Sequence, residues 1–142
     1  MIKLNHYINE AWGGVKKQSY EQEVSLWCDE MKIRDYTIND KGEIDVNGEV
    51  DLYGKNFKEL PYKFGSVSDY FSLSGNKSLT SLKNCPDFVG VFFSCSLCPQ
   101  LDSLEGCPRK VMGSFYCNGC NKKFTKEEVK SLCNVKKAKI YV

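Results

Sequence analysis

From Phe71 onward apolar residues alternate with polar ones in short bursts, and the bursts recur. Phe71-Ser-Leu73-Ser-Gly-Asn76 is followed by Leu79, Leu82 and Cys85-Pro86; 22 residues later come Phe93-Ser-Cys95-Ser-Leu-Cys98, Leu101, Leu104 and Cys107-Pro108. A third copy opens at Phe115-Tyr-Cys117-Asn-Gly-Cys120 and breaks off near Phe124. A fixed period of this length predicts a solenoid, in which each copy buries its apolar face against the next. Alternation places Phe71, Leu73, Phe93, Cys95, Phe115 and Cys117 on the inner face of a short strand, with equivalent residues about 4.8 Å apart. Asn76, Cys98 and Cys120 share the point where the chain leaves that strand. A small polar or thiol side chain there can bond backbone groups that would otherwise stay unsatisfied.

The same phase runs upstream: Leu52 matches Leu73 at an offset of 21, and Phe57 and Leu60 match Leu79 and Leu82 at 22. The array therefore starts near Val50. Ahead of it, Ile44, Val46, Val50 and Leu52 alternate with polar residues, predicting two or three short strands with turns at Asp40-Lys41-Gly42 and Asn47-Gly48. Asn-Gly between alternating segments signals a hairpin. Ser19 with Gln22 forms a capping box for a helix through Met31, with Val24, Trp27, Cys28 and Met31 on one face. Thr125 with Glu128 opens a second helix through about Cys133, burying Val129, Leu132 and Cys133. Ala138 to Val142 reads as a last strand. Met1 to Glu10 is weakly amphipathic, and Ala11 to Gln18, with Gly13-Gly14, reads as a flexible link. The expected organisation is a tail (1–18), an N-terminal cap of helix plus hairpin (19–49), a solenoid (50–124) and a C-terminal cap of helix plus strand (125–142). Its class is α+β.

Composition changes this picture little. Hydrophobic residues make up 42% and charged residues 27% of 142, ordinary for one globular domain. Twenty basic against 18 acidic residues leave a net charge of +2, so nothing points to nucleic acid as the main partner. No apolar run is long enough to cross a membrane as a helix. Met1 to Glu10 lacks a basic stretch followed by an apolar core, so a reducing compartment and free thiols are expected.

Eight cysteines raise a second possibility. Cys95-x-x-Cys98 and Cys117-x-x-Cys120, 18 residues apart, match the spacing of a zinc ribbon, making these four thiols an alternative metal site and the chain, on that alternative, a zinc-binding structural or nucleic-acid-binding module. Yet a 22-residue repeat with cysteine at two positions creates that spacing by itself, and the first copy holds Leu73 and Asn76 there. Cysteine packs as a small hydrophobe, so these four, with Cys85 and Cys107, are expected in the core. No cofactor is expected.

Catalysis has no evident machinery. His6 is the only histidine and lies in the tail, and no phosphate-binding glycine loop occurs. Asp87, Asp102 and Glu105 fall on the loop side without evident partners. Function is therefore expected on a surface. The outward ladder face carries Asp51, Tyr53, Tyr70, Ser72, Phe92, Ser94, Tyr116 and Asn118, with Tyr70, Phe92 and Tyr116 in one row. Aromatics among serines and asparagines suit protein recognition.

Two resemblances extend this reading. The pattern apolar-x-Leu-x-x-Asn/Cys, then paired leucines and Cys-Pro, resembles a leucine-rich repeat over Val50 to Phe124, closest to the short repeats of bacterial effectors and phage proteins. It departs by one residue after the Asn/Cys and places Cys95 and Cys117 where leucine is usual. The resemblance implies one short parallel strand per repeat, an irregular return path and a protein-binding role. Separately, Met-Ile-Lys-Leu-Asn-His-Tyr-Ile-Asn-Glu-Ala resembles the capsid-targeting peptide of internal head proteins in large contractile-tailed phages. That resemblance implies cleavage between Glu10 and Ala11 at the end of Ile8-Asn9-Glu10, packaging in the phage head, and delivery to the host cytoplasm, where the partner is a host or phage protein.

Overall fold

The computed structural model describes residues 7–10, 14–137 and 139–142. The chain divides into two compact units, Met1–Ile33 and Arg34–Val142. None of the described helices is long and apolar enough to cross a membrane.

In the first unit, β1 (Tyr7–Glu10) pairs antiparallel with β2 (Gly14–Lys17). The stretch read as a tail and flexible link thus contains a strand pair. Of the expected cleavage junction, Glu10 ends β1 and Ala11 lies outside the described residues. Helix α1 (Tyr20–Glu30) starts where the sequence places it: the Ser19 side chain accepts from the Gln22 N–H, and the Gln22 side chain returns the bond to Ser19. It ends at Lys32, whose positive φ of 61° turns the chain so that the Ile33 N–H reaches the Cys28 carbonyl. Val24 and Cys28 are buried, while Trp27 and Met31 are only half-buried.

The second unit is a β-solenoid of about four turns. Its strands come in pairs, one pair per coil: β4 (Ile44–Val46) and β5 (Val50–Asp51), β6 (Phe64–Val67) and β7 (Phe71–Ser72), β8 (Phe88–Val89) and β9 (Phe92–Ser94), β10 (Lys110–Val111) and β11 (Ser114–Tyr116), β12 (Asn134–Val135) and β13 (Lys139–Tyr141). Even members stack in parallel into one ladder, β12-β10-β8-β6-β4, and odd members into a second, β13-β11-β9-β7-β5. The single strand per repeat expected from the sequence is therefore corrected to two. What was read as an irregular return path holds the other ladder.

Two further corrections follow from that pairing. Asn47-Gly48 makes no hairpin, because β4 and β5 belong to different ladders. It is a corner, held by the Gly48 N–H on Ser68 Oγ and the Asp69 N–H on the Gly48 carbonyl. The hairpin is the preceding one: β3 (Tyr36–Ile38) pairs antiparallel with β4 and closes the first ladder at its N-terminal end. The array also begins at Ile44 instead of Val50, so the boundary drawn at residue 49 cuts through the first coil.

The core is built from columns of equivalent residues. Val46, Val67, Val89, Val111 and Val135 line the inside of the first ladder, and Val50, Phe71, Phe93, Phe115 and Ile140 that of the second; all are buried. Leu60, Leu82 and Leu104, with Leu79 and Leu101, fill the loop side. At the far end α2 (Lys126–Leu132) is capped by Thr125 and Glu128 as expected and packs against β12 and β13. Val129 and Cys133 are buried, but Leu132, expected inside, stands exposed on the outer side of this short helix.

Candidate binding face

The exit from three second-ladder strands, β7, β9 and β11, is closed by one side chain each. Asn76, fully buried, donates through Nδ2 to the Leu52 and Leu73 carbonyls (2.9 and 2.7 Å) and accepts the Phe57 N–H at 3.0 Å. Cys98 occupies the same place one coil on, its thiol donating to the Leu73 and Ser96 carbonyls, both at 3.4 Å. Cys120 follows, 3.2 Å from the Cys95 carbonyl. Amide and thiols thus do the same work, donating to backbone carbonyls where the chain leaves the strand.

With its strands held this way, the second ladder projects three outward columns. One runs through Tyr70, Phe92, Ser114 and Lys139, and the next through Asp51, Ser72, Ser94, Tyr116 and Tyr141. Tyr53, Ser74, Ser96 and Asn118 form the third. Tyr70, Phe92 and Tyr116 are therefore not in one row, because Tyr116 follows the inward Phe115 whereas Phe92 precedes the inward Phe93. Their rings still meet. Tyr70 stacks on Phe92 (4.7 Å between centroids, 1° between planes), Phe92 meets Tyr116 edge-on at 5.7 Å, and Tyr116 stacks on Tyr141 at 4.6 Å. Four rings make a continuous diagonal ridge.

Tyr141 is the member that sequence reasoning missed. It lies 25 residues after Tyr116, since α2 lengthens the last coil beyond the 22-residue period. Carrying the column through the predicted last strand would have found it. Tyr70, Phe92 and Tyr116 are half-buried and Tyr141 is 46% exposed. Ser72 and Ser94, expected on the exposed face, are only 8% and 7% exposed. Their short side chains sit between taller neighbours, and their hydroxyls turn inward to the ladder: Ser94 bonds Ser74, and Ser72 accepts the Ser74 N–H. Ser96 similarly donates to Asn118 at 2.7 Å. Asp51 and Asn118 are exposed as expected. Tyr53 is exposed too, lying flat over Gly75, where a Cβ would come within 2.8 Å of its ring. Gly75 has a φ of +73°, so glycine is needed there on both counts.

The ridge spans a change of charge. Burial and then the carboxylates of Asp51, Glu49 and Asp69 push the Tyr70 phenol above its ordinary value, keeping it a hydrogen-bond donor. Residues 34–70 hold five basic and eight acidic residues, whereas residues 109–142 hold nine basic and two acidic. The near-neutral total conceals an acidic end at Tyr70 and a basic end at Tyr141.

The loop side carries an open groove of about 730 Å³ lined by Lys63, Asn84, Cys85, Asp87, Glu105 and Arg109 among others. Lys63 is committed to the fold there: its ammonium donates to the Phe64 and Cys85 carbonyls (2.6 and 2.7 Å) and pairs with Asp87 at 3.2 Å. Asp87, read as unpaired, thus has a partner.

All eight cysteines are free, and only Cys120 is not buried. Burial pushes the Cys107, Cys117 and Cys133 thiols up to about 12 and Cys98 to about 11, which keeps them protonated. Cys98 and Cys120 are engaged with backbone carbonyls, and among the described residues no group of three or more His, Cys, Asp or Glu side chains is placed to hold a metal ion. The 22-residue repeat itself supplies the ribbon-like spacing of Cys95, Cys98, Cys117 and Cys120.

Comparison with protein-family models, with curated proteins and with solved structures finds no match to this chain.

Proposed function

We propose that the chain is a non-enzymatic binding module that captures a host or phage protein on the ridge formed by Tyr70, Phe92, Tyr116 and Tyr141. One observation carries this reading: four aromatic rings in unbroken contact on the outside of a rigid parallel ladder. Such rings bring large apolar area to an interface at little cost in side-chain freedom, because packing has already fixed them. Tyr70 on Phe92 and Tyr116 on Tyr141 stack face to face, and the two stacks meet edge-on, a surface that suits apolar and carbonyl groups of a partner. The acidic and basic ends give that partner an orientation.

The recurring Leu79, Leu82, Leu101 and Leu104 and the Asn76, Cys98, Cys120 series support kinship with the short leucine-rich repeats of phage proteins; the second ladder goes beyond that pattern. The N-terminal resemblance supports packaging in the phage head, trimming after Glu10 and delivery to the host cytoplasm, where capture of a host factor counters a defence. Mass spectrometry of virions tests the packaging: a mature chain beginning at Ala11 is expected, and a chain beginning at Met1, or none in the particle, overturns it. Pull-down from infected cells tests the face. Joint alanine substitution of Tyr70, Phe92 and Tyr116 should lose the partner while the circular dichroism spectrum persists; undiminished capture rules the ridge out.

A further inference from the structure

One contact repeats on the diagonal between neighbouring coils. The side chain at each strand exit reaches the carbonyl of a residue 24 or 25 positions earlier: Asn76 that of Leu52, Cys98 that of Leu73, and Cys120 that of Cys95. At the first two steps the residue beneath is leucine, and a thiol or amide meets only its backbone. At the third step it is cysteine, so the Cys120 thiol, 3.2 Å from the Cys95 carbonyl, lies beside a second cysteine. Access divides the pair. Cys95 is fully buried, whereas Cys120 is half-buried, the most exposed of the eight cysteines.

The surroundings favour charge on the outer member. The Cys95 thiol, assisted by the Cys98 backbone N–H and opposed by burial, holds Cys120 down to about 7, and the same contact, with burial, raises Cys95 well above its ordinary value. The lowered value favours the thiolate, the nucleophilic form, at Cys120. When protonated, it donates instead to the Cys95 carbonyl.

We propose that Cys120 is an oxidation site and Cys95 its resolving partner, so that a hydroperoxide closes the pair into a disulfide between adjacent coils. In the first step the Cys120 thiolate attacks the terminal peroxide oxygen. The O–O bond breaks, the leaving oxygen takes up a proton to depart as alcohol or water, and Cys120 becomes a sulfenic acid. In the second step the Cys95 sulphur attacks the Cys120 sulphur and the S–O bond breaks. The hydroxide leaves with the Cys95 proton as water, so two thiols have passed two electrons to one peroxide.

Peptide mapping by mass spectrometry after brief exposure of the folded chain to hydrogen peroxide tests this. The expected result is a link between the Cys95 and Cys120 peptides, a loss of about 2 Da, before any other thiol changes. Cys95→Ser should leave a sulfenic acid at Cys120 that dimedone traps. Cys120→Ser, which keeps a hydroxyl for the Cys95 carbonyl, should leave the remaining thiols reduced at the same dose. Native iodoacetamide labelling should reach Cys120 at least about tenfold faster than the other seven. Labelling of Cys120 no faster than the rest overturns its reactivity. Oxidation of Cys120 to a sulfinic acid with Cys95 still reduced overturns the pairing.

Discussion

The inside of the first ladder is a file of valines, Val46, Val67, Val89, Val111 and Val135, while the matching file of the second is Val50, Phe71, Phe93, Phe115 and Ile140. Outside, the first ladder shows Ser66, Phe88, Lys110 and Asn134, a mixed polar surface, and the second shows the aromatic ridge. Both ladders share every coil, so the backbone repeat does not set them apart; side-chain size does. Short, stiff valines pack the inside of the first ladder. Stacked phenylalanines (Phe71 on Phe93 at 6.1 Å, Phe93 against Phe115 at 5.1 Å) pack the inside of the second, on the strands that carry the outer rings. Recognition is best placed where the support is most rigid.

The largest expected difference between the ladders is in stability. Phe93→Ala, in the middle of the phenylalanine file, should cost about 3–5 kcal/mol by chemical denaturation, and Val89→Ala on the facing ladder about 2 kcal/mol. Equal costs would mean that the two files share the load. Next comes the strand exit. Asn76→Ala removes the side-chain partner of the Leu52 carbonyl and the Phe57 N–H, leaves the Leu73 carbonyl only the Cys98 thiol, and should cost about 2–3 kcal/mol. Asn76→Cys should recover about half of that loss by restoring the arrangement seen at Cys98; no recovery would show that thiol and amide are not equivalent there.

Smaller effects separate recognition from folding. Tyr141→Ala, at the most exposed end of the ridge, should weaken partner binding about tenfold with a stability change of under about 1 kcal/mol. An unchanged affinity would confine the contact surface to Tyr70, Phe92 and Tyr116. Smallest of all, Lys110→Ser on the outside of the first ladder should shift stability by no more than about 0.5 kcal/mol and leave capture intact. A loss of binding there would move the interface to the other ladder.

Much of the architecture was legible from residue order alone. The 22-residue recurrence located the solenoid, both capping boxes start their helices where Ser19 and Thr125 announce them, and the Asn76, Cys98, Cys120 series was readable as one structural position. These features are local, or repeat at a constant interval, so linear spacing carries them.

What tertiary structure alone decided concerns partners distant in the chain. Strands as short as Phe88–Val89 and Lys110–Val111 show no alternation, so the first ladder emerges only when each pairs with its equivalent a coil away. Asn47-Gly48 has the composition of a hairpin turn, yet parallel pairing on both sides makes it a corner. The aromatic ridge crosses from one column to the next, which a search along single columns passes over. The diagonal that sets Cys120 over Cys95 spans 25 residues, out of step with the 22-residue period, and only stacked coils reveal it.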